Sequence, residues 1–150
     1  AMFIPVPLVF SARGGGAVVN VVSAIAMRSG PVLAYSAGKA AVASMTEILA
    51  GQWAKQGVRV NGVAPGFTDT PFLKRGERQG ERDMTPIEQS SPLGRMLRPE
   101  EIAEVIHFLL SPASIAINGT VVACDGGYVA GSGWLGFGGL GVLDPYTNER

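Results

Sequence analysis

The run Gly14-Gly15-Gly16-Ala17-Val18-Val19-Asn20-Val21-Val22 decides the fold. Three glycines make a flexible turn, and the almost unbroken β-branched stretch after them is apolar on both faces. That pattern suits an inner strand of a parallel sheet, which is covered from both sides. A parallel neighbour needs a crossover, and the sequence supplies one. An Ala-rich helical stretch is expected over residues 33–56, with Val42, Met45, Leu49 and Trp53 at three- and four-residue spacing as its apolar stripe. Gly57 follows, where glycine ends helices in the left-handed conformation.

Outward from there the same alternation continues. Val58-Arg59-Val60-Asn61-Gly62-Val63-Ala64 reads as a second strand closed by Pro65-Gly66. Residues 67–98 are polar, with Lys74, Arg75, Glu77, Arg78, Glu81, Arg82 and Asp83 crowded together, and read as a lid. Pro99-Glu100-Glu101 opens a helix with proline in the first turn and acids at the positive dipole end; Ile102, Val105, Ile106 and Leu109 form its buried face. Asn118-Gly119 turns into a third strand, Thr120 to Cys124, followed by Asp125-Gly126-Gly127. The fold class is α/β, with parallel strands and right-handed crossovers. Three segments are expected: an atypical leader or truncated end over 1–13, the folded domain over 14–128, and a Gly-rich tail over 129–150.

Composition removes several functions. Twelve basic residues balance twelve acidic ones, so no electrostatic case exists for nucleic acid or an anionic membrane as partner. The apolar segment 2–10 is too short to span a bilayer, holds Pro5 and Pro7, and lacks the basic start of a secretory signal. The single cysteine, Cys124, allows no internal disulfide and fits a reducing, cytoplasmic setting. His107 has no Cys or His partner at metal spacing, so no metal site is expected. Asn118-Gly119-Thr120 fits the glycosylation pattern, which a cytoplasmic chain would not use.

The chemistry-bearing residues are Ser23, Tyr35 and Lys39. Tyr35 and Lys39 are four apart on a helix and share one face. A phenol ordinarily titrates near ~10, and an ammonium beside it favours the phenolate. Such a tyrosine can give a proton to a carbonyl oxygen or take one from an alcohol. Ser23 ends the first strand at the carboxyl edge of the sheet, where ligands bind in open α/β folds. Tyr-x-x-x-Lys by itself is weak, and chance supplies it in roughly one chain in several. A second motif, Gly131-Ser132-Gly133-Trp134-Leu135-Gly136, spells a dinucleotide fingerprint but has glycines where the helix should follow, and reads as tail.

Asn20-Val21-Val22-Ser23, Tyr35-Ser36-Ala37-Gly38-Lys39-Ala40, Arg59-Val60-Asn61-Gly62-Val63-Ala64-Pro65-Gly66 and Asp125-Gly126-Gly127 stand in this order. Together they resemble successive signatures of the short-chain dehydrogenase/reductase family, over about residues 14–128. The resemblance implies a Rossmann-like doubly wound parallel sheet. It also implies an NAD(P)-dependent oxidoreductase interconverting a ketone and a secondary alcohol, similar to the 3-oxoacyl reductases. Ser23 would orient the substrate oxygen, Tyr35 would be the general acid/base, and Lys39 would hold the nicotinamide ribose and favour the phenolate. Pro65, Gly66 and Thr70 match the segment lining the nicotinamide and pyrophosphate. The three residues between Tyr35 and Lys39 argue against the divergent enoyl reductases, where the gap is longer. The full-length form is expected to be a homo-oligomer acting on a small carbonyl or alcohol substrate.

The family's opening Thr-Gly-x-x-x-Gly-x-Gly turn and its Asn-Asn-Ala-Gly segment have no counterpart before Ser23, so the N-terminal dinucleotide-binding half is expected to be missing. NAD or NADP preference is therefore not legible. A second reading follows: an inactive fragment serving at most as a pairing or oligomerisation half-domain, with an open strand edge and the helical face around Met45 and Trp53 uncovered.

Overall fold

The computed structural model describes residues 9, 10, 12–28, 30–71, 73, 83 and 85–134. Its elements are β1 (Gly16–Val21), α1 (Leu33–Trp53), β2 (Val58–Pro65), α2 (Thr85–Gln89), α3 (Pro99–Leu110), β3 (Val121–Cys124) and α4 (Tyr128–Gly131), with single 3-10 turns at Ala24–Ala26, Ala54–Gln56 and Pro112–Ser114. The sheet order is β1-β2-β3 and both pairings are parallel. The α/β fold expected from the alternation is the one observed.

Period-two alternation assigns the two faces. Val58 and Val60 of β2 pack with Val18, Ala50, Leu49 and Trp53, on the α1 side. Val63, one face over, packs with Val19, Val122, Ile102 and Leu109, on the α3 side. Helices therefore cover both faces, as in a doubly wound sheet. Each fully buried valine of β2 contributes about 1.5–3 kcal/mol.

Four details depart from the sequence reading. The face α1 lays on the sheet runs through Thr46, Leu49, Ala50 and Trp53, while Met45 points outward, 44% exposed. Asn20 on β1 donates to Thr46 Oγ1 at 2.9 Å, so a polar pair takes the contact that hydrophobicity alone assigned to methionine. Thr120 stays outside β3 because its N–H donates to the side chain of Asn61. The tail begins later than residue 129: Asp125 accepts from the N–H groups of Gly127 and Val129 and starts α4, which runs to Gly131. The leader is partly folded too, since Phe10 packs against the core on the α1 side. The rest of the expected leader (1–8 and 11), much of the charged lid (72, 74–82 and 84) and 135–150 lie outside the described residues.

The lid is closed at its base. Leu97 donates to Phe67 O at 2.9 Å and accepts from Asp69 N at 2.7 Å, a parallel bridge between its two ends. Its last turn docks on the Gly126 turn: Leu93 N donates to Gly126 O, and a Cβ on Gly126, at φ +63°, would meet Ser91 Oγ.

Candidate active site

Parallel pairing puts the carboxyl ends of all three strands at one edge. Two residues past the last β1–β2 pair, Val21 with Val63, stand Ser23 and Pro65; Pro65 is itself level with Cys124 on β3. Ser23 caps the following 3-10 turn, its Oγ accepting from Ile25 N at 3.4 Å. The N-terminal part of the site therefore rises directly from the strand ends, and α1 packs against this turn.

Tyr35 and Lys39 occupy the first turns of α1. Lys39 Nζ lies 5.8 Å from the centre of the Tyr35 ring and donates to Val21 O at 2.7 Å. The direction of that carbonyl matters. Val22 N–H donates to Val63 O, so in a trans peptide Val21 O points the opposite way, off the edge of β1 that has no strand partner among the described residues. The ammonium thus sits on the outer edge of the sheet, beside a tyrosine that is 52% exposed. Among the described residues no hydrogen bond joins Ser23 to Tyr35; both are presented to the same edge.

What fixes α1 along β1 is Asn20. Its amide donates to Thr46 Oγ1, which in turn donates to Val42 O. Sequence reading quoted Asn20 only within a motif. The available signal was a lone amide inside an otherwise apolar strand, which must find a partner when covered.

The other wall comes from the loops after β2 and β3. Gly66 N donates to Cys124 O at 3.1 Å, and a Cβ on Gly66 would lie 2.8 Å from Asp125 Cα. Close packing of the two turns is thus sufficient to require glycine there. Thr70 Oγ1 accepts from Leu73 N at 3.4 Å. Phe67 and Tyr128 meet edge to face at 5.6 Å.

The half-exposed tyrosine and the ammonium at the carboxyl edge fit the nicotinamide ribose of a dinucleotide. Among the described residues no glycine turn leads into a long helix for its phosphates: Gly14, Gly15 and Gly16 stand at the amino end of β1, and Gly126-Gly127 opens only the four-residue α4. A separate open cleft of about 290 Å³ lies between α3 and β3, lined in part by Ile102, Val105, Cys124 and Asp125. It shares no lining residue with Ser23, Tyr35 or Lys39. Burial, then the charge of Asp125, pushes the Cys124 thiol up. Among the described residues no helix is long and apolar enough to cross a membrane.

The sequence profile of the family described as enoyl-(acyl carrier protein) reductase matches residues 6–129. A cis-4-hydroxycyclohexanecarboxylate dehydrogenase of Sinomonas cyclohexanicum is 46% identical over 121 residues, covering 80% of this chain and 47% of that protein. The structure titled ribose-5-phosphate isomerase from Brucella melitensis is 42% identical, with a TM-score of 0.83 over 89% of this chain and 52% of its own. A putative 2-deoxy-D-gluconate 3-dehydrogenase of Agrobacterium tumefaciens with bound NADP is 35% identical, with a TM-score of 0.73 over 81% and 50%. The chain spans about half the length of these proteins. Profile, relatives, sheet order and the Ser23, Tyr35 and Lys39 edge agree: the chain belongs to the short-chain dehydrogenase/reductase family.

Proposed function

We propose that this chain carries the substrate-side half of an NAD(P)-dependent oxidoreductase interconverting a ketone and a secondary alcohol. The observation that carries the reading is Lys39 held on Val21 O beside the Tyr35 ring, at the strand ends that also present Ser23. When bound, the reduced nicotinamide supplies the hydride that adds to the carbonyl carbon. Tyr35 gives its hydroxyl proton to the carbonyl oxygen, which becomes the alcohol, and Ser23 orients that oxygen by hydrogen bond. Lys39 would hold the ribose hydroxyls of the bound cofactor, and Pro65, Gly66 and Thr70 would line its nicotinamide side. The profile's description names enoyl reduction; the three-residue gap between Tyr35 and Lys39 supports carbonyl chemistry instead. NADP in the Agrobacterium relative supports a nicotinamide cofactor without choosing between NAD and NADP.

Tyr35→Phe in the active protein should lower NAD(P)H-dependent ketone reduction by roughly 10²–10⁴-fold while leaving urea unfolding unchanged. Undiminished turnover would sink the assignment.

The outer edge of β1, which pairs with no strand among the described residues and leaves Val21 half exposed, favours a second reading in which the chain works only as a pairing half-domain. Exposed Met45 and Ile48 on α1 likewise support assembly with further copies. Saturable NADPH binding by the isolated 150-residue chain would speak against pairing as its sole role; no binding until a full-length relative is added would support it.

A further inference from the structure

Arg28 bridges the loops of the two outer strands above the carboxyl edge. It follows the 3-10 turn that Ser23 caps, and its Nε donates to Ser132 Oγ at 3.1 Å, just past α4. Its Nη1 donates to Met27 O at 2.8 Å. The guanidinium is therefore held by two loops, one from β1 and one from β3. The β2 strand lies between them, and the loop leaving it carries Phe67, edge-on to Tyr128. Among the described residues Nη2 has no hydrogen-bond partner and Arg28 no carboxylate partner. On the neighbouring loop, Asp125 accepts from the N–H groups of Gly127 and Val129.

An oriented cation among the loops of the carboxyl edge, which also carry the aromatic pair Phe67 and Tyr128, matches a ligand with an apolar body and an anionic end. We infer that Arg28 is a specificity-determining residue that binds the carboxylate of a substrate whose hydroxyl or carbonyl lies toward Tyr35. The inference deepens the oxidoreductase reading above and rests on it. Guanidinium is suited to the task because its planar N–H groups match carboxylate oxygens and it stays charged at any working pH.

The test is a titration of the ¹⁵N-labelled chain with cyclohexanecarboxylate, followed at the Arg28 Nε–Hε and Ser132 amide resonances. Cyclohexanol and inorganic phosphate serve as controls. Cyclohexanecarboxylate should shift both resonances saturably and cyclohexanol should not. Arg28→Gln, an exposed change that leaves the remaining amide spectrum in place, should weaken that binding by roughly tenfold. Equal responses to phosphate and cyclohexanecarboxylate would make Arg28 a general anion or cofactor-phosphate site and overturn the inference. So would unchanged binding by Arg28→Gln. Neither readout depends on turnover, so failure here is separate from failure of the Tyr35→Phe assay, which judges the oxidoreductase reading alone.

Discussion

Lys39 donates its ammonium to the carbonyl oxygen of Val21, a group that faces away from the sheet at the open edge of β1. The contact joins the start of α1 to the end of β1 and puts a charge where an edge strand would otherwise offer a bare acceptor. Lys39→Met should cost about 1 kcal/mol in urea unfolding, the size of one partly exposed hydrogen bond. Lys39→Arg should recover part of it. In a ¹⁵N spectrum of the lysine ammonium groups, the parent should show one slowly exchanging signal that Lys39→Met removes. Its absence from the parent would show that the ammonium is not held.

Asn61 is a second point of strain if altered. It is fully buried on β2, donates to Ile117 O at 2.8 Å and accepts from Thr120 N at 3.2 Å. Asn118 returns the arrangement, accepting from Val60 N and donating to Ala50 O. Asn61→Leu strands both an acceptor and a donor in the interior. We expect a loss of about 2–4 kcal/mol, measured by chemical denaturation, with Asn118→Ala costing less because it is exposed.

Arg59 closes the carboxyl end of α3. Its Nη1 donates to Leu109 O, Ser114 Oγ and Ile117 O, and its Nη2 to Ser111 O, at 3.0–3.3 Å. Leu109 O and Ser111 O stand at the end of α3, where carbonyls lack a partner within the helix, and a cation suits the negative end of its dipole. Arg59→Ala should destabilise by about 2–3 kcal/mol. Arg59→Lys should restore only part, since an ammonium cannot span the same fork; full recovery would show that charge alone matters.

Glu101 carries the clearest pH signature. A two-pronged ion pair with Arg95, at 2.7 and 2.9 Å, and the N–H of Arg98 lower its carboxyl from an ordinary 4.5 to about 2. A depressed carboxylate contributes stability that is fully present above the unfolded value and is lost as pH falls through the folded one. This group's contribution should therefore vanish between about pH 4.5 and 2. Carboxyl ¹³C titration should place its midpoint near the lower figure, and Arg95→Ala should move it back toward the ordinary value. No movement in Arg95→Ala would show that the pair does not form in solution.

The sequence by itself determined the α/β class and the parallel order of strand and helix, and it named Ser23, Tyr35 and Lys39 as candidates. These are written in local chemistry: β-branched runs, helix caps and a four-residue spacing that a helix must put on one face. Tertiary structure decided what depends on partners distant in the chain. That Thr46 rather than Met45 meets the sheet follows from an amide on β1, 26 residues away. That Leu97 closes the lid on Phe67 and Asp69, and that Asp125 starts a helix inside the expected tail, follows from backbone groups finding acceptors across folded turns. Arg28 shows the same limit: periodicity gives an exposed arginine no meaning, and only the fold brings Ser132 to it, 104 residues later. Hydrophobic spacing reports which face is buried on average, while hydrogen-bond satisfaction, which is pairwise and long-range, selects the residues that meet.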